Sequence, residues 1–182
     1  REQDKVFIYF SGHGTQIQDT DGDENNGQAG CYDEAFVISD GGDSISKIRD
    51  DFFVAQVNKI GTNRITTTID SCFSGGMLRG TKNCLDMKSK ALIEANILPK
   101  KDCPSSEISR LKGTVYMASK EYQLAWESDN GGIFTTFFVD NIENNPEEKF
   151  NLKQIFEMTK RQVVEQTGHK DCERLQEPQR QP

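Results

Sequence analysis

The chain has no apolar run approaching the ~20 residues that a membrane-spanning helix needs, and no stretch reads as a secretory signal. It has no excess of positive charge. Lys and Arg number 22 against 29 Asp and Glu, for a net charge of −7 and an isoelectric point near 4.9. That balance excludes the basic footprint of a nucleic-acid-binding protein. No CxxC pair occurs, and the five cysteines at 31, 72, 84, 103 and 172 are scattered and odd in number. Neither a disulfide framework nor a zinc site follows from that spacing, so a reducing, cytoplasmic setting is expected. Histidine is scarce, with only His13 and His169. There is no internal repeat and no low-complexity segment. Apolar residues make up 34% and mean hydropathy is −0.70, low but still globular, with eleven Phe supplying core bulk. A length of 182 residues fits one domain with a sizeable core.

What is present is concentrated in two short segments, Ser11-Gly12-His13-Gly14 and Asp70-Ser71-Cys72-Phe73-Ser74-Gly75. Each follows an apolar or β-branched run with strand character, Val6 to Phe10 and Ile65 to Ile69. A His and a Cys therefore stand just past the ends of two strands, where open α/β sheets build their sites. A thiol needs a base or a cationic neighbour to become a good nucleophile, and an imidazole supplies it. Gly12 and Gly14 let main chain approach a substrate closely. The backbone N–H groups of Gly14 and Cys72 are the candidates for an oxyanion hole. Read without the His motif, Cys72 would be an ordinary buried thiol.

These motifs resemble those of the caspase-type cysteine peptidases, and among them the metacaspases and their prokaryotic relatives. Tyr9 to Gly14 resembles the family's histidine motif, and Asp70 to Gly75 its cysteine motif, with Phe73 where His is often found. Asp21-Gly22-Asp23-Glu24 and Tyr32-Asp33-Glu34 resemble the acidic stretch after the histidine. His13 and Cys72 stand 59 positions apart, of the order seen in caspases. The resemblance runs from about residue 4 onwards. It implies an α/β fold, a caspase-like three-layer sandwich with a mostly parallel central sheet and helices on both faces. It also implies two further strands before the first one here. Their absence leaves a hydrophobic strand edge open, so a missing N-terminal segment or a partner chain is expected to cover it.

As activity, the resemblance implies a cysteine endopeptidase with a His13–Cys72 dyad acting on protein or peptide chains. Asp70 and Ser11 would line the pocket for the residue before the cleaved bond. A buried carboxylate there selects Arg or Lys, although Asp70 could also be an ordinary strand-end carboxylate. Trp126, in Gln123 to Glu127, is either a cleft residue that packs on substrate or a core residue. Asp19, Asp21, Asp23 and Glu24 begin like a calcium-binding loop, but Glu24 and Gly30 stand where that loop needs Gly and Glu. Family calcium sites elsewhere imply Asp50 and Asp51 as an acidic pair, with Arg79 at the position of a later ligand. Calcium is therefore an expected activator at most, and the chemistry requires no cofactor. The rivals are a catalytically silent scaffold in a signalling assembly and an Asp-specific caspase-type protease.

The remaining chain reads as one caspase-like peptidase domain over 1–182, with 79–112 a mobile insertion or linker. The pattern predicts a buried strand from Lys5 to Phe10, a loop from Gln16 to Gly30 and a short strand from Ala35 to Ser39. A helix over about Ile48 to Ile60, capped by Ser44 or Ser46, should stop at Gly61. Strands are expected over Arg64–Ile69 and Thr114–Ala118, and helices over Ile133–Ile142 and Leu152–Val164. Within the linker, about Met87 to Asn96 could be helical. Its basic residues Arg79, Lys82, Lys88, Lys90, Lys100, Lys101 and Arg110 are either a solvated face or a self-cleavage segment. A polar tail follows Gly168.

Overall fold

A computed structural model describes residues 2–18, 32–39, 41, 44–72, 88–90, 107–120, 123–145, 151–168 and 175–182. The central sheet is built from β1 (Val6–Ser11), β5 (Ile65–Asp70), β7 (Thr114–Met117) and β10 (Gln179–Gln181), in the order β1-β5-β7-β10. β1, β5 and β7 run parallel, and β10 returns antiparallel to β7. Alternation along β7 shows the two faces. Val115 points into a cluster with Phe36, Val54, Val57, Ile65, Ile69, Ile108 and Leu111. Tyr116 points the other way, into a cluster with Phe134, Phe138, Ile155, Phe156 and Val163. Helix α1 (Asp50–Asn58) covers the first face. α2 (Ile133–Asn144) and α3 (Leu152–Thr167) cover the second. The expected layered α/β fold, a mostly parallel sheet between helices, is the one observed.

Local chemistry explains the elements. Asn151 caps α3 by accepting the Gln154 N–H, while the Gln154 side chain accepts the Asn151 N–H, so two otherwise orphaned donors are satisfied. In α2, Ile133, Phe134 and Phe138 are buried, and Phe134 stacks on Phe138 at 5.4 Å. The four aromatics Tyr116, Phe134, Phe138 and Phe156 interlock the helices with the sheet, each burying on the order of 150–250 Å².

Several expectations are corrected. β1 is not buried on both sides: Val6, Ile8 and Phe10 pack on the α1 cluster, while Phe7 and Tyr9 on the opposite face are exposed. Gln16–Gln18, expected to open a loop, belongs instead to β2 (Gly14–Gln18), paired antiparallel with β3 (Tyr32–Ser39). The helix expected from about Ile48 loses its first two residues to a strand. Residues 45–49 form β4 (Ile45–Arg49), paired with β3, and α1 starts only at Asp50 with no side-chain cap. Neither Ser44 nor Ser46 caps it; the strand partner that β3 offers outweighs local helix signals there. Lys88–Ser89 is β6, paired with β8 (Trp126–Ser128), rather than helix, and β9 (Gly131–Gly132) completes that small sheet. The tail after Gly168 contributes β10 and a fully buried Gln176. The acidic stretch with Asp19, Asp21, Asp23 and Glu24, and the linker residues Arg79, Lys82, Lys100 and Lys101, lie outside the described residues.

Candidate active site

The register of the central sheet assembles the site. β1 and β5 pair in parallel with Ser11 opposite Asp70, and the Gly12 N–H bonds the Asp70 carbonyl at 3.2 Å. His13 and Cys72 therefore each stand two residues beyond the same level of the sheet. Gly14 completes the approach. A Cβ built there would lie 1.7 Å from the Cys72 carbonyl oxygen and 2.8 Å from Ser71 Oγ. Only a residue without a side chain lets the two loops touch.

Cys72 is fully buried. Its Sγ accepts the Ala125 N–H at 2.8 Å, and its S–H reaches the Ala125 carbonyl at 3.2 Å. Burial pushes the thiol pKa up to about 12. The amides of Ala125 and Lys90 oppose that rise, and the Asp70 carboxylate adds to it. The imidazole of His13 is exposed and makes no hydrogen bond among the described residues, while its backbone carbonyl accepts the Val37 N–H. The described arrangement is thus a protonated thiol held by main chain, with the imidazole on the adjoining loop.

Next to the thiol is a polar cluster centred on a buried ion pair. Asp70 is fully buried at the end of β5. Its Oδ2 accepts the Thr135 N–H at 3.1 Å and the Thr135 hydroxyl at 2.5 Å. Since Thr135 gives its proton to Asp70, the Tyr9 hydroxyl, 2.8 Å away, donates to Thr135. The third partner of Oδ2 is Lys90 Nζ, at 3.1 Å, with a side chain only 3% exposed. Lys90 also donates to Ser11 Oγ at 2.7 Å and to the Asp70 carbonyl at 3.1 Å. All three hydrogens of that ammonium are therefore placed. Gly132 forms the opposite wall: a Cβ there would lie 2.1 Å from Asp70 Oδ2 and 2.5 Å from Lys90 Nζ. Asp70 Oδ1 is buried and has no hydrogen-bond partner among the described residues.

The structure thus brings Ser11, Asp70, Cys72 and Gly14 together. Trp126 lies buried in the same apolar cluster as Cys72. Its backbone N–H donates to the Oε1 of Gln176, whose Nε2 donates to the Ala118 carbonyl. Asp50 and Asp51 sit apart, in the first turn of α1, and Asp51 pairs with Arg49 at 3.0 Å. Among the described residues no group of three or more His, Cys, Asp or Glu gathers to hold a metal ion. Sequence reasoning did not find Thr135, Gly132, Ala125 or Gln176. A β-strand followed by Gly131-Gly132 was the one available signal for the pocket wall, while Gln176 had none.

Comparison with known proteins identifies the family. A family model described as a caspase domain matches residues 1–181. Metacaspase-1A of Aspergillus oryzae is 35% identical over 79 residues, 43% of this chain and 18% of that protein. Metacaspase-1 of Schizosaccharomyces pombe is 38% identical over 76 residues, 41% of this chain and 17% of that protein. Metacaspase-7 of Arabidopsis thaliana is 35% identical over 80 residues, 43% of this chain and 18% of that protein. The matched region therefore spans less than a fifth of each relative. A crystal structure of a Geobacter sulfurreducens protein superposes with a TM-score of 0.58 at 17% identity, covering 99% of this chain and 66% of that one.

Proposed function

The chain belongs to the caspase-domain family, and on that premise we propose that it is a cysteine endopeptidase that cleaves protein chains after Lys or Arg. The observation that supports this best is the buried Lys90–Asp70 pair beside Cys72. A fully buried carboxylate is costly unless a cation meets it, so the pocket is built around a basic side chain. An aspartate side chain placed there would set two carboxylates together in a dry site, which argues against an Asp-specific reading. The unengaged Oδ1 offers a second acceptor, which suits the two-pronged guanidinium of Arg.

In this reading His13 takes the Cys72 proton when substrate replaces the resting contacts, and the thiolate attacks the carbonyl after the basic residue. The N–H groups of Gly14 and Cys72 hold the oxyanion. His13 then protonates the leaving amine, and water hydrolyses the thioester to return the thiol. No step uses a cofactor; calcium enters the reading only as an activator to be assayed. A reducing compartment such as the cytoplasm suits a nucleophile that must stay a free thiol.

A silent scaffold is the second reading, favoured by one observation: the resting thiol bonds Ala125 rather than His13. Fluorogenic peptides ending in Lys, Arg or Asp, assayed with and without calcium beside Cys72→Ala, separate the readings. Turnover after Lys or Arg that vanishes in Cys72→Ala is expected. Turnover after Asp would overturn the pocket argument. No turnover under any condition would favour the scaffold.

A further inference from the structure

The amide of Gln176 ties the C-terminal segment to the backbone that holds the thiol. Gln176 is fully buried. Its Oε1 accepts the Trp126 N–H at 3.0 Å, and its Nε2 donates to the Ala118 carbonyl at 3.0 Å. A main-chain N–H only donates and a carbonyl only accepts, so the two ends of this amide cannot be exchanged. One side chain thus clasps both ends of the segment from Ala118 to Trp126. Its own main chain is fixed in turn. The Gln176 N–H donates to Thr167 Oγ1 at 3.0 Å, at the end of α3, and that hydroxyl donates to the Val163 carbonyl. The Trp126 N–H and the Ala125 carbonyl belong to one peptide group, which is planar and stiff. Pinning the N–H therefore fixes where the carbonyl points. That carbonyl accepts the Cys72 S–H at 3.2 Å and the Lys90 N–H at 2.9 Å, while the Ala125 N–H donates to Sγ at 2.8 Å. A continuous run of bonds reaches from Ala118 through the Gln176 amide and the Ala125–Trp126 peptide to the sulfur. In such runs each bond polarises the next.

Resting on the peptidase reading, we propose that Gln176 is a positioning residue for the nucleophile: its amide pins the Ala125–Trp126 peptide and so keeps Cys72 in the orientation that reacts. When the thiol proton passes to His13, the Ala125 carbonyl loses its donor, but the Ala125 N–H stays on the sulfur. The thiolate keeps one orientation only while that backbone stays in place. Nucleophile placement of this kind weighs heavily on rate, since a shift of about 1 Å costs on the order of a hundredfold. Asp70 and Ser11, which would receive the substrate side chain, stand on β5 and β1. Gln176 bonds neither of them among the described residues. The tie therefore acts on the chemical step and leaves substrate binding alone.

Three proteins test this. They are the unaltered chain, Gln176→Met, which fills the site without either amide bond, and Thr167→Val, which removes the acceptor of the Gln176 N–H and leaves the amide intact. Turnover of a Lys-ending fluorogenic peptide is resolved into kcat and KM, and iodoacetamide labelling is mapped to Cys72. Gln176→Met is expected to lose roughly tenfold or more in kcat, with KM within about threefold. Its Cys72 should label faster, because the thiol is no longer held. Thr167→Val should keep both kcat and labelling within about threefold. Equal losses of kcat in the two variants would overturn the proposal, since a merely weakened fold treats both alike. A change confined to KM would overturn it too. Hydrogen exchange of the unaltered chain decides the matter if Gln176→Met does not fold. The Trp126 amide and the Cys72 thiol should then be released by one opening, with equilibrium constants equal within about threefold. A thiol that labels through a far more frequent opening than the Trp126 amide would refute the tie. Absence of turnover in the unaltered chain would strike the peptidase reading, and the tie would then stand or fall on labelling and exchange.

Discussion

Replacing Asp70 by Asn keeps the shape of the pocket and removes its charge. The Lys90 ammonium, with a side chain 3% exposed, would then lack a counter-ion in a buried site. Removing one partner of a buried pair costs about 3–5 kcal/mol. For a chain of this size that is a fall in Tm of roughly 6–20 °C, at about 2–4 °C per kcal/mol. The cost has a ceiling, however. Lys90 belongs to a strand of two paired residues, so the ammonium can escape by undocking β6, and the loss cannot exceed the docking energy of that strand. A double-mutant cycle separates the two contributions. Asp70→Asn, Lys90→Met and the double variant are compared by urea denaturation. Because Met fills similar volume without charge, the double variant should be more stable than the sum of the single losses predicts, by about 1.5 kcal/mol or more. Losses that add to within about 0.5 kcal/mol would refute the claim that these two groups hold each other.

Three other outcomes follow from the same geometry. With its pKa pushed up to about 12, Cys72 in the resting protein should alkylate more slowly than a free cysteine by roughly a thousandfold at neutral pH, since each pKa unit is a factor of ten. Its labelling rate should keep climbing past pH 9, and a plateau between pH 8 and 9 would contradict the burial argument. Gln176→Leu removes the acceptor of the Trp126 backbone N–H and the donor to the Ala118 carbonyl, a loss of about 1–3 kcal/mol for each, measured by denaturation. The Lys120 hydrogen bond, aided by Lys160, holds the Glu177 carboxyl below its ordinary range. Glu177→Gln should therefore cost less than about 1 kcal/mol near neutral pH, where the unfolded carboxylate is also ionised. That cost should vanish as the pH falls through the lowered value, so an equal difference at pH 7 and pH 3 would disprove the pairing.

The layered fold and the placement of His13 and Cys72 were legible because they depend on local signals. A β-branched run, Ile65 to Ile69, and an aromatic one, Val6 to Phe10, each end in a glycine-containing turn. The failures are non-local. Ile45 to Arg49 carries apolar residues compatible with either a helix or a strand, and only β3 alongside it decides the matter. Lys90 appears in the sequence as one of several linker cations; its selection depends on Asp70, Ser11 and Ala125, from three distant segments. Thr135 opens a helix whose periodicity predicts burial of Phe134 and Phe138, but says nothing of a hydroxyl aimed at β5.

Gln176 also bears on the order in which the molecule is made. Its partners Ala118 and Trp126 lie 58 and 50 residues upstream, and contacts of such separation close late, after the loop entropy between them has been met. During synthesis the segment that carries Ala125 and Trp126 emerges well before the amide that fixes it. A nascent chain thus carries Cys72 and His13 for a time while the backbone that holds the thiol is still unanchored.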